Sequence, residues 1–250
     1  MFNIRQLTWP APPHVKAYYT LRTGGMSQPP YKSFNLGDHV GDSPPDVASN
    51  RRQLLKHLQL SEVTWLTQVH GVDVADLDHL QSDQLGSAGL IEADACTATM
   101  IGRPCCVMTA DCLPVFFCDL QGRRVALAHA GWRGLLGGVL QKTLSTFEEP
   151  SSVMAYMGPA IGAQAFEVGD DLRMAFLCHN AAFNEYFEAS PNSQRWMGDL
   201  YAIARHILHA LGVNAIYGGD HCTYTEKSQF FSYRRDGTTG RMANLIWLEE

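Results

Sequence analysis

Residues 105–136, "CCVMTADCLPVFFCDLQGRRVALAHAGWRGLL", are three apolar runs separated by short polar breaks. "CCVMTAD", "LPVFFCDL" and "RVALAHAG" are each short, rich in Val, Phe and Cys and bounded by turn residues, the pattern of buried strands. The last two join through "QGR", a hairpin turn. The third passes through Gly131 into residues 132–148, which read as a helix starting directly after a strand.

Outward from this segment, strands continue to outnumber helices. "VKAYYTLRTGG" reads as a strand, and "EVTWLTQVHGVDVADL" as two strands meeting at a bend or hairpin around Gly71. "SSVMAYMG", "NAIYGG" and "FFSYRR" are further strands. Helices are expected from Ser43 or Asp46 to about residue 58, over 170–179, and in "MGDLYAIARHILHALG", where Gly212 is the stop. Strands that mostly follow one another predict an α+β fold with a mixed sheet, not a regular βα alternation. The turn-rich stretches 26–33 and 41–49 are too short to separate domains, so residues 1–250 read as one domain.

Composition narrows the function classes. With 46% hydrophobic and 18% charged residues the chain has a globular balance. Its net charge of −6 and its lack of a Lys/Arg-rich run argue against nucleic acid as partner. No apolar run is long enough to span a membrane, and the N-terminus lacks the apolar stretch of a signal peptide. Seven cysteines, two of them adjacent, form a poor disulfide framework and fit a reducing, cytoplasmic setting.

Three polar residues fall where strands end: His70 in "TQVHG", Cys112 in "TADCLP" and His129 in "ALAHAGWRG". Two imidazoles and a thiolate suit zinc, and three protein ligands leave a fourth position open. Their spacing follows no local metal motif, so by residue type alone the favoured reading of each is a packed, hydrogen-bonded core residue. A third reading is nucleophilic, with Cys112 as thiolate, His70 or His129 as base and Asp111 as orienter. Asp111 could also be an ordinary turn residue or a support for a ligand. Cys96, Cys105, Cys106, Cys118, Cys178 and Cys222 are assigned to packing, and His206 and His209 share a helix without an evident third ligand.

Among the arginines, Arg22 precedes two glycines, Arg133 opens a helix four residues after His129, and Arg234, Arg235 and Arg241 cluster around Gly237 and Gly240. Arginine forks suit phosphate or carboxylate; ordinary surface ion pairing is the commoner fate of any one of them. Arg133 is the strongest choice for an anion.

The strings "LRTGGMS", "SFNLGDHVGD", "TQVHG", "TADCLPVFFCD", "AHAGWRGL", "GPAIGAQAFEVG" and "FFSYRRDGTTGRMANLIWL" together resemble the bacterial laccase-domain family. Its members are also described as multicopper polyphenol oxidases and as YfiH-type purine nucleoside phosphorylases. The resemblance runs from about residue 20 to the C-terminus and implies a single-domain α/β sandwich with mixed sheets and flanking helices. It implies a zinc, or alternatively copper, held by His70, Cys112 and His129, with these residues and Arg133 at the catalytic centre. Arg22, Asn35, Arg234, Arg235 and Arg241 become substrate-binding candidates. The implied reaction is phosphorolysis of adenosine, inosine and guanosine to free base and ribose 1-phosphate, with methylthioadenosine cleavage (to adenine and methylthioribose 1-phosphate) and adenosine deamination as companion activities. A monomer or homodimer acting on nucleosides and phosphate is expected. One departure is visible: Gln164, Ala165 and Phe166 stand where many relatives carry cysteine and tyrosine, so no role for a cysteine there carries over.

Two alternatives remain at this point, a cysteine or metal hydrolase editing peptidoglycan precursors and a copper-dependent polyphenol oxidase. A full multicopper relay needs an electron-transfer copper plus a multi-histidine cluster. Among the ten histidines no two are separated by a single residue, so the paired segments that usually feed such a cluster are missing.

Overall fold

Two sheets packed face to face position everything else in the computed structural model, which describes residues 4–81, 83–86 and 88–250. One sheet is antiparallel, in the order Ile4–Gln6, Val15–Thr20, Met242–Leu248, Cys105–Thr109. The other has six strands in the order Ala215–Gly218, Val153–Met157, Leu113–Asp119, Val125–Ala130, Ala95–Ala98, Val74–Asp76. It is mixed, because the two outermost pairings are parallel and the inner three antiparallel. A three-stranded sheet (Glu167–Gly169, Arg195–Gly198, Phe187–Ala189) and a parallel pair (Trp65–Thr67, Ala88–Glu92) lie outside these two.

Period-two alternation sorts the side chains into layers. Val107, Phe116, Cys118, Leu127, Met242 and Ile246 fill the space between the two main sheets. The opposite parity of the six-stranded sheet, with Val115, Phe117, Ala126 and Ala128, packs against Leu135, Leu140, Ile203 and Leu208 from the helices. Ala243, Leu245 and Trp247 on the outer face of the four-stranded sheet meet Leu54 and Leu58 of helix Pro44–Leu58. Each fully buried Leu, Val or Phe contributes about 1.5–3 kcal/mol, so these interfaces dominate stability. The fold is therefore α+β, a helix-flanked sandwich of two sheets, as expected.

The quoted segment forms as read: strands Cys105–Thr109, Leu113–Asp119 and Val125–Ala130, the last two paired as a hairpin. Two readings are corrected. The single helix over 132–148 is two short helices, Trp132–Gly137 and Val139–Leu144, broken at Gly138, whose φ of 97° is left-handed. "FFSYRR" is not a strand, because the Phe230 N–H donates to Glu226 O and the Phe231 N–H to Met242 Sδ, leaving no ladder. Its second half is the helical turn Tyr233–Asp236, capped by Ser232 Oγ accepting from the Arg235 N–H at 3.2 Å. The strands around Gly71 meet at a bend, not a hairpin, since they pair with different partners. The strand Met242–Leu248, central to its sheet, was not singled out as a strand from sequence. Among the described residues no helix is long and apolar enough to cross a membrane.

Candidate metal centre

At one end of the sandwich the chain crosses between the two main sheets, leaving strand Cys105–Thr109 and entering Leu113–Asp119. Cys112 sits on this crossing, immediately after Asp111, whose φ is 98°. His129 lies near the end of the neighbouring strand Val125–Ala130, opposite Pro114 in the ladder. His70 comes from the bend between Thr67 and Val74, in a left-handed conformation with φ 61°. Each has one ligand atom within 4.8 Å of the other two. Among the described residues this is the only such group of three.

The three differ in exposure: His129 is buried, Cys112 half-buried and His70 exposed. His70 Nε2 lies 3.8 Å from Cys112 Sγ, and the two imidazoles meet edge to face with centroids 4.9 Å apart. Gly131 makes this approach feasible. A Cβ there would stand 2.8 Å from Cys112 Sγ and 3.3 Å from His70 Cδ2.

Asp94 is the residue that sequence reasoning did not identify. Its carboxylate is fully buried and accepts from the backbone N–H of Val69 (3.1 Å), His70 (3.0 Å) and Gly71 (2.6 Å). It also accepts from His129 Nδ1 at 2.8 Å. A carboxylate can only accept, so Nδ1 carries the proton and Nε2 is left as the ligand atom. Burial alone would raise the Asp94 pKa, but the His129 contact and these N–H donors bring it below the ordinary value.

Electrostatics favour the thiolate. Burial alone would raise the Cys112 thiol, yet His129 and then His70 outweigh it and bring it down to about 6. Burial alone would lower His129, but the Cys112 charge and the Asp94 hydrogen bond lift it to about 9. Soft sulfur with two imidazole nitrogens, converging from three segments and braced from behind, is a donor set that zinc or copper accepts.

Asp111 braces another segment. Its carboxylate accepts from Thr223 Oγ1 at 2.6 Å and from the Arg234 N–H at 2.7 Å, and its carbonyl from the Ile161 N–H at 2.9 Å. It orients no histidine; Asp94 does that.

The arginines divide sharply. The exposed Arg133 guanidinium stacks over Trp132 at 4.4 Å and, among the described residues, forms no ion pair. Arg241 donates to the carbonyls of Thr239 and Gly240; burial lowers its pKa, while the charges of Cys112 and Asp111 act on it in the opposite sense. Arg22 donates to Lys32 O and Lys227 O and lies over Phe231. Arg235 holds the carbonyls of Thr223, Tyr224 and Phe230 together with Asp236. Arg234 donates to Ala165 O and Glu167 O. Asn35 is fully buried, donating to Gly37 O and Asp42 and accepting from the Gly37 and Arg241 N–H groups. Its amide thus shapes the loop it sits in.

Cys96, Cys105, Cys106 and Cys118 are buried, as assigned, whereas Cys178 is exposed and Cys222 half-buried. His206 bonds Tyr186 at 3.0 Å. Two clefts of about 670 and 690 Å³ open elsewhere, and no residue of the His–Cys–His group lines either.

The family model for multi-copper polyphenol oxidoreductase laccase matches residues 16–249. The chain belongs to this family. Among members of the laccase family, the chain is 49% identical over 242 residues to a protein named purine nucleoside phosphorylase YfiH from Escherichia coli, covering 96% of each chain. It is 46% identical over 243 residues to purine nucleoside phosphorylase PA4543 of Pseudomonas aeruginosa, covering 97% of each. The crystal structure of Neisseria meningitidis protein NMB0706 superposes with a TM-score of 0.93 at 48% identity, over 99% of this chain and 100% of that one. YlmD from Geobacillus stearothermophilus superposes with a TM-score of 0.82 at 31% identity, over 95% of this chain and 93% of that one. The laccase label notwithstanding, the described residues hold one soft three-ligand group and no second cluster to feed a copper relay.

Proposed function

We propose that this protein is a zinc-dependent purine nucleoside phosphorylase, one catalytic domain spanning residues 1–250. The observation that carries the reading is the convergence of His70, Cys112 and His129, with ligand atoms within 4.8 Å, in a chain 46–49% identical to proteins named for that activity. His70 and His129 would bind zinc through nitrogen and Cys112 through sulfur. When bound, the metal supplies a Lewis-acid centre with an open fourth position.

The remaining chemistry falls to the chain. Phosphorolysis forms a bond from a phosphate oxygen to the anomeric carbon and breaks the bond from that carbon to the purine, whose nitrogen takes the electron pair. Phosphate must be held and its charge neutralised. Arg133, without an ion-pair partner among the described residues, and Arg241, within electrostatic reach of Cys112, are the best-placed cations. Arg22 and Arg235 act by holding the surrounding loops. Adenosine, inosine, guanosine and methylthioadenosine are the substrates, and adenosine deamination is a companion reaction. The test is ribose 1-phosphate formation from inosine and phosphate by protein carrying about one zinc per chain. Cys112→Ala and His129→Ala should abolish it, and product formation at the wild-type rate by either variant rules the site out.

A second reading has its own support. Cys112, His129 and Asp94 are arranged as thiolate, imidazolium and orienting carboxylate, the set a cysteine hydrolase uses. Protein purified without zinc, inactivated by a thiol alkylator and indifferent to chelators would favour it. The same donors would take copper, and polyphenol oxidation by copper-loaded protein tests the family label.

A further inference from the structure

We propose that Asp94 is the positioning residue of the metal centre, the single group that sets two of its three ligands before the metal arrives. The proposal rests on the reading of His70, Cys112 and His129 as a metal site.

Four donors converge on this one carboxylate: the His129 ring and three successive backbone N–H groups of the bend that carries His70. On the His129 side, the 2.8 Å bond to Nδ1 fixes the tautomer and the ring's rotation, so that Nε2 faces the other two ligands. On the His70 side, the cradle of three N–H groups holds the left-handed turn, φ 61°, that presents this histidine. A non-glycine residue adopts such a backbone only where its surroundings impose it.

The main chain at the same residue repeats the coupling. The Asp94 N–H donates to Asp73 O at 3.0 Å, three residues beyond His70, and the Asp94 carbonyl accepts from the His129 N–H at 2.7 Å. Backbone and side chain therefore clamp the same two segments. His70 and His129 are set against one rigid point, and neither has to find the other when metal binds.

The chemistry of the group is specific to a carboxylate. Two oxygens offer about four acceptor sites, and four donors occupy them. Asparagine keeps the shape, but in either orientation its NH2 faces two N–H donors where an acceptor is needed. Asp94→Asn should therefore fold with a loosened centre.

The experiment measures zinc affinity of wild type and Asp94→Asn by competition with a chromophoric chelator, together with the absorption spectrum of each protein loaded with cobalt. The expected result is zinc binding weaker by about 10–100-fold in the variant, the usual scale for losing such a support, with altered cobalt bands. A merely structural aspartate would lower the melting temperature of metal-free and zinc-loaded protein alike while leaving zinc affinity within about twofold and the cobalt bands unmoved; that outcome overturns the proposal. Wild type that holds no zinc overturns the metal reading itself, which separates the two failures. Should Asp94→Asn not fold, nitrogen-15 NMR of zinc-loaded wild type decides: a proton on Nδ1 and metal on Nε2 of His129 support the proposal, and metal on Nδ1 refutes it.

Discussion

Cys112 illustrates how much one side chain owes to its neighbours. With its thiol at about 6 and His129 at about 9, the metal-free pair stands as thiolate and imidazolium between those values. Iodoacetamide labelling of Cys112, read by mass spectrometry, should inflect at about pH 6 and stay flat through neutrality. Cys105, Cys106 and Cys118, whose thiols burial pushes up, should remain unlabelled in the native protein. Zinc uptake runs against the His129 proton, because a ligating imidazole must give it up. Raising the pH removes that competitor, so zinc affinity should climb about tenfold per unit between about 6 and about 9. Below about 6 the slope should steepen, since the thiol must then be deprotonated too; titrations against a chelator at several pH values check both limbs. Gly131→Ala adds a methyl group 2.8 Å from the sulfur without backbone strain, since φ at Gly131 is −66°. Displacing a reacting group by about an ångström costs on the order of 10²-fold in rate, so turnover should fall on that scale while the melting temperature holds. At this scale the sequence already displayed the candidates: His70, Cys112 and His129 beside strand ends, and the arginines beside glycines or at a helix start. It could not display which arginines are consumed by backbone carbonyls, because Arg22 and Lys227 lie 205 residues apart in the chain.

Elements formed where local chemistry and long-range packing agreed. Helix Leu200–Ala210 is capped by Asp199, whose side chain accepts from the Ala202 N–H at 2.9 Å, and it buries Ile203, Ile207 and Leu208 along one face. Asp199→Ala should cost about 1 kcal/mol in urea unfolding; an unchanged midpoint would mean the cap contributes nothing. This helix was readable from its 3.6-residue period, as the central hairpin was from its turn. The helix over 132–148 was only half readable. Its apolar spacing is helical, but Gly138 adopts a left-handed conformation that lets Val139 and Leu140 turn onto the six-stranded sheet, a demand set by the sheet. "FFSYRR" shows the reverse case: aromatic residues with strand propensity are buried between the sheets by side-chain packing, without joining a ladder.

Across the whole molecule, one crossing between sheets joins core and site. Asp111 lies on it and holds the 221–236 segment through Thr223 and Arg234. Asp111→Ala leaves two inward-facing donors without an acceptor and places alanine at a φ of 98°. A loss of about 1–3 kcal/mol per donor is expected, read by chemical denaturation, with faster proteolytic nicking within 221–236. Resistance equal to wild type would show that the segment's other contacts, among them the Thr223 N–H on Ala160 O and the Arg234 and Arg235 side chains on backbone carbonyls, hold it without Asp111. The amino-acid sequence by itself determined the strand-rich composition of the fold and the central hairpin, because alternation and turn residues are local properties; it offered His70, Cys112 and His129 as strand-end candidates, and only the family resemblance joined them into one ligand set. Only the tertiary structure decided that these strands divide into two sheets, and that Asp94 braces the centre. The donors to Asp94 lie 23 to 35 residues away along the chain, and no local pattern distinguishes a carboxylate that will receive four of them from one that faces water.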